Sequence, residues 1–130
     1  MSKINLSVLK YTSSHEWAGL QGSEAMIGIT DHAQEALGDI VYIELPTVGT
    51  QVKQGAEVAV VESVKAAADI YAPLSGKVIE VNTALVNAPE GVNQDPYGKG
   101  WLMKIAISHP QELESLLTLE AYEAIASQGH

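Results

Sequence analysis

Between His15 and Ile107 apolar and polar positions alternate in short runs, and glycine, proline or asparagine closes most of them. A period of two with turn residues at regular intervals predicts strands. They fall at His15 to Leu20, Glu24 to Thr30, Ile40 to Glu44, Gln51 to Lys53, Glu57 to Glu62, Asp69 to Ala72, Lys77 to Asn82 and Trp101 to Ile107. Leu20-Gln21-Gly22, Pro46-Thr47-Val48-Gly49 and the stretch from Asn93 to Gly100 separate them as turns. Short strands in this number indicate a mainly β sandwich or barrel. Helical signals lie at the edges. Thr30 to Leu37 predicts one short helix, with Asp31 as its cap, Gln34 three residues on and Gly38 as its stop. Ser108-His109-Pro110-Gln111 has capping-box spacing ahead of Leu113, Leu116 and Leu117, which share a helical face. Leu119, Tyr122 and Ile125 continue the spacing, so a helical segment over about 108–127 is expected to pack on the sheet.

The chemistry concentrates at Lys65. Glu57-Val58-Ala59-Val60-Val61-Glu62 is a β-branched run entered from Lys53-Gln54-Gly55, and Asp69-Ile70-Tyr71-Ala72 is closed by Pro73-Leu74-Ser75-Gly76. If the two runs pair, the residues around Lys65 form the connection and its side chain points into solvent beside the small Ala66, Ala67 and Ala68. A lysine at a turn is ordinarily just a solvating charge. A weak internal echo, Gly55-x-x-Val58-x-x-Val61 before the lysine and Gly76-x-Val78-x-x-Val81 after it, fits two related halves as well as two unrelated strands following glycine turns.

Composition narrows the classes. A chain of 130 residues with 46% hydrophobic content supports one cored domain over 1–130. The absence of cysteine excludes disulfides, thiolate metal sites and a cysteine nucleophile. A net charge of -9 with no arginine argues against nucleic acid. No run approaches the ~20 apolar residues that span a bilayer, so no membrane role is expected. Met1 to Leu6 has neither a secretory h-region nor the arginines of a transit peptide. The expected location is the cytoplasm, although a processed mitochondrial matrix chain would look the same.

Other constellations are weaker. Ser14-His15-Glu16 holds the residue types of a triad, but neighbours on a strand point to opposite faces. His15, His32, His109 and His130 show no metal-ligand spacing. Gly98-Lys99-Gly100 lacks the rest of a phosphate loop and reads as a turn. Trp17 and Trp101 read as core or rim aromatics.

The segment from Glu62 to Gly76 closely resembles the swinging-arm segment of the glycine cleavage system H-protein family, whose lysine carries lipoic acid. Lys10-Tyr11, Ser14-His15-Glu16-Trp17, Gly28 to Gln34, Leu37 to Val41, Leu45-Pro46, Val81-Asn82, Pro96-Tyr97, Gly100-Trp101 and Glu112 to Leu117 resemble further landmarks in family order, so the likeness spans nearly the whole chain. It implies a sandwich with the hammerhead-like core of lipoyl and biotinyl carriers, short peripheral helices including C-terminal ones, and no catalytic residue of its own. Lys65 would hold covalent lipoic acid. The arm would take an aminomethyl group from a pyridoxal-phosphate glycine decarboxylase to a tetrahydrofolate-dependent aminomethyltransferase, and a flavin dihydrolipoyl dehydrogenase would reoxidise it. The resemblance also implies an arm cleft at Ser14, Glu16 and Asp69, although those acids would by default be solvated. Glu62, Ser63, Val64 and Ala66 would be read by a lipoate ligase or lipoyl/octanoyl transferase. Where some relatives carry a second histidine, this chain has Ala36. A biotinyl carrier, an H-like lipoyl-relay protein and a small hydrolase built on Ser14, His15 and Glu16 stand as rivals. The biotinyl lysine normally sits between methionines, whereas Lys65 lies between Val64 and Ala66.

Overall fold

The computed structural model describes residues 9–126; His130 and the end of the expected C-terminal segment at 127 lie outside them. Two antiparallel sheets form a sandwich. The larger contains β1 (Lys10–Tyr11), β2 (Glu16–Gln21), β3 (Glu24–Ile29), β5 (Gln51–Val52), β8 (Gly76–Val81) and β9 (Met103–Ile107), in the order β1-β2-β3-β9-β8-β5. The smaller contains β4 (Ile40–Glu44), β6 (Glu57–Ser63) and β7 (Ala67–Tyr71), in the order β4-β6-β7. Helices α1 (Asp31–Leu37), α2 (Ala84–Asn87), α3 (Gly91–Gln94) and α4 (Leu119–Ala126) lie at the periphery, with a 3-10 helix at Pro110–Ser115. Among the described residues no helix is long and apolar enough to cross a membrane.

The inward positions of the predicted strands make the core. Ile27 and Ile29 of β3, Ile43 of β4, Val61 of β6, Ile70 of β7, Val78 of β8 and Ile105 of β9 are buried in one cluster. A second cluster joins Leu9, Tyr11, Trp17 and Tyr122, with Leu117 and Leu119 packed on it. Tyr11 and Leu117 exchange backbone hydrogen bonds at 2.9 and 2.7 Å, which ties the C-terminal segment to β1. Strand β2 is therefore covered on both faces, and Glu16, Trp17 and Ala18 are buried in succession. Trp17 is a core residue, while Trp101 is half-buried with Lys104 Nζ 5.5 Å from its ring centre.

The two glycines of the internal echo do different work. Gly55 makes a turn at φ +88°, whereas a Cβ on Gly76 would meet the Ala106 carbonyl oxygen.

Several local expectations need correction. The cap of α1 is Thr30, whose hydroxyl accepts from the Ala33 N–H at 3.2 Å, while Asp31 accepts from the Gln34 side chain at 2.8 Å. Thr30 is the residue with extended backbone, which the cap position requires. The capping box at Ser108 does not form, because Ser108 bonds the His109 ring at 2.8 Å and the segment is a 3-10 helix with Pro110 in its first turn. The chain from Asn93 to Gly100 begins inside α3, and only its remainder is turn. Trp101 and Leu102 precede β9, and His15 precedes β2 in a left-handed conformation at φ 74°.

Candidate functional site

Strands β6 and β7 pair as expected, Glu62 opposite Ala67 and Val60 opposite Asp69, so Val64, Lys65 and Ala66 form the tip. Ser63 shapes it. Its hydroxyl accepts from the N–H groups of Lys65 and Ala66, each at 3.1 Å, and donates to the Ala66 carbonyl at 3.1 Å, which uses its full capacity. Ser63 N–H reaches the Ala66 carbonyl at 2.8 Å and Val64 N–H reaches the Asp39 carbonyl at 3.1 Å, so each N–H from Ser63 to Ala66 has an acceptor. Lys65 is exposed and forms no ion pair with any described residue. Its stem crosses Gly38: a Cβ built there would lie 3.1 Å from Lys65 Cε. Val64, Ala66 and Glu62 are exposed around it.

Glu16 bridges the two sheets. Its Oε1 accepts from the hydroxyls of Thr12 and Ser14, each at 2.5 Å, and its Oε2 accepts from the Tyr71 N–H of edge strand β7 at 3.2 Å. The residue is 1% exposed. Burial pushes the carboxyl above its ordinary range, and the hydrogen bonds from Ser14, Thr12 and Tyr71 only partly oppose that. Solvation, the default expectation, therefore does not describe Glu16. Asp69 is exposed, two residues along β7 from Tyr71, and so about 7 Å along the strand at ~3.3 Å per residue. Ser14 is exposed over Glu16. Sequence reasoning missed Thr12. The signal was present in a hydroxyl four residues ahead of the acid, but it acquires meaning only when the tight turn folds that hydroxyl back.

The hydrolase alternative fails on geometry. Ser14 gives its hydrogen bond to Glu16, while His15 turns the other way, its Nδ1 2.7 Å from the Tyr122 hydroxyl and its ring stacked on His32 at 4.7 Å. A base aimed away from the hydroxyl cannot activate it. Among the described residues no group of His, Asp or Glu is arranged to hold a metal. A cleft of about 510 Å³ lined by Lys53, Ser75, His109 and Glu112 lies at the foot of the β6/β7 hairpin, remote from Lys65. Its walls are latched by Ser75, whose N–H and hydroxyl each donate to the Glu112 carboxylate at 2.7 Å.

A sandwich that presents one exposed lysine on a hydrogen-bonded hairpin tip has the form of a carrier protein. The glycine cleavage H-protein family model matches residues 9–129, and the chain belongs to that family. It is 54% identical to the glycine cleavage system H protein of Thermotoga maritima, over 95% of this chain and 99% of that one. The H protein of Photorhabdus laumondii is 57% identical over 92% and 93%. The crystal structure of the H protein from Mycobacterium marinum superposes with a TM-score of 0.81 at 38% identity, covering 95% of this chain and 98% of that one. The protein is thus a lipoyl carrier of the glycine cleavage system, a non-catalytic subunit whose partners are the P, T and L proteins.

Proposed function

We propose that Lys65 carries the lipoyl group, that Ser14, Glu16 and Asp69 receive the cationic amine of the cargo, and that Glu62, Ser63, Val64 and Ala66 form the surface read by the attaching enzyme. The observation that carries this reading is the hairpin: its lysine is exposed and unpaired, while the backbone beneath it is fully hydrogen-bonded. The residues fit the group. Ala66 and Ala67 leave its flank open, and Gly38 offers no side chain against the stem. When attached, lipoic acid supplies a disulfide that takes up a one-carbon fragment together with two electrons.

This chain contributes reach and shelter. Tethering raises the effective concentration of the group at each partner's site. Shelter keeps water from the labile cargo. The hydroxyls of Thr12 and Ser14 can rotate from donating to accepting, and an ammonium can then take their place at Glu16 Oε1. A charge-assisted bond of that kind favours the ionised carboxyl, against the effect of burial. Exposed Asp69 supplies a second acceptor. The whole of 1–130 acts as one carrier domain, and the cytoplasm is its compartment, in line with its bacterial relatives.

The test is peptide mapping after incubation with lipoate ligase, ATP and lipoate. The adduct is expected at Lys65 and lost in Lys65→Arg. An adduct at Lys77 in the wild type would overturn the assignment.

A further inference from the structure

We infer that Asn93, which no sequence signal singled out, is a positioning residue that fixes the lysine hairpin through the loop Gly38-Asp39-Ile40. The inference rests on Lys65 being the attachment residue. Asn93 stands on α3 and commits its whole side-chain amide to this loop and the helix before it. Its Nδ2 donates to the Gly38 carbonyl at 2.8 Å and to Gln34 Oε1 at 3.0 Å, and its Oδ1 accepts from the Ile40 N–H at 2.9 Å. The orientation is forced, since a flipped amide would set NH2 against the Ile40 N–H.

The loop so held is what the tip rests on. The Gly38 N–H closes α1 on the Gln34 carbonyl at 3.0 Å, and the Asp39 carbonyl accepts the Val64 N–H at 3.1 Å. Gly38 lies directly beneath the lysine stem at a φ of +83° that favours glycine. Outside the strand pairing and the bonds to Ser63 and Ala66, the backbone anchor of the tip among the described residues is Asp39, and both neighbours of Asp39 are bonded to Asn93. Removing Asn93 leaves the Gly38 carbonyl and the Ile40 N–H without their partner, and the Asp39 carbonyl is then held only by the pairing of Ile40 with Ser63 and the end of α1. Lys65 keeps its chemistry but loses its fixed pose. An attaching enzyme must then order the tip on binding, and that cost falls on the KM for the carrier more than on kcat.

The experiment compares Asn93→Ala and the isosteric Asn93→Asp with wild type and with Ser75→Ala, which breaks a latch at the opposite end of the hairpin. The Asn93→Asp variant keeps an acceptor for Ile40 but cannot donate to Gly38 or Gln34, so it answers the question if the alanine variant does not fold. Two measurements are made on unlipoylated protein well below its unfolding temperature: amide exchange at Val64 and Ile40, and steady-state lipoylation by lipoate ligase at varied carrier concentration. In both Asn93 variants Val64 exchange is expected to accelerate by about tenfold or more, with KM for the carrier raised about fivefold and kcat within about twofold of wild type. Ser75→Ala should lower thermal stability while leaving Val64 exchange and KM as they are. Unchanged KM in the Asn93 variants, with or without faster exchange, would overturn the inference. So would an equal rise in Ser75→Ala. Failure of the Lys65 assignment has a separate signature, a label that maps elsewhere in all four proteins.

Discussion

Replacing Glu16 by glutamine separates the fold from the proposed carrier role, because the two would place opposite demands on the carboxyl. Buried at 1% exposure, it keeps three protein donors, yet its pKa is raised, so burial outweighs the hydrogen bonds. The folded state therefore binds the Glu16 proton more readily than the unfolded chain does. For an acid with a raised folded-state pKa, stability falls as pH climbs from the ordinary value of 4.5 through the raised one, at about 1.4 kcal/mol for each tenfold displacement of the proton equilibrium. Glutamine is a permanently neutral isostere. Its carbonyl can take the Tyr71 N–H while its NH2 donates to the reversible hydroxyls of Thr12 and Ser14. Glu16→Gln is therefore expected to lie within about 1 kcal/mol of wild type at neutral pH. Its stability relative to wild type should rise between pH 4 and 7. Glu16→Ala leaves the Tyr71 N–H without its acceptor and should cost about 1 to 3 kcal/mol. Urea unfolding across that pH range checks both. The same glutamine should shorten the lifetime of the loaded carrier about tenfold, read as ammonia release without the T protein, since a charge-assisted bond is worth about 1.5 kcal/mol or more. A loss above about 3 kcal/mol at pH 7, or a pH profile parallel to wild type, would refute the claim that burial dominates.

Asp69→Asn should leave Lys65 lipoylation within about twofold of wild type while speeding ammonia release several-fold, because a charge-assisted bond becomes a neutral one; equal release rates would return Asp69 to simple solvation. Gly76→Ala should destabilise by about 3 kcal/mol or more in urea unfolding, since the new Cβ meets the backbone of Ala106, which has no rotamer with which to yield.

The sequence by itself determined what local chemistry controls. Alternation marked out the strands because each strand side chain has only two directions to take, and β8 buries Gly76 and Val78 with Lys77 exposed between them as the pattern requires, whereas irregular pairing in β4 buries Ile40 and Ile43 three residues apart. The hairpin tip at Lys65 was legible because its chemistry is local too: Ser63 and Ala66 build it within a few residues, and the segment from Glu62 to Gly76 bears the family's likeness. Legibility failed where partners are remote or where neighbouring polar side chains compete for one local role. Asp31 was the expected cap of α1, and backbone angles gave that position to Thr30. A capping box at Ser108 lost to the His109 ring and the short 3-10 turn. Only the tertiary structure could bury Glu16, because its partner across the sandwich is Tyr71, 55 residues away. Only the tertiary structure could bring Asn93 to Ile40 across 53 residues. A period-two pattern says which way a side chain points, but the polar partner it meets there is set by how the sheets and helices pack.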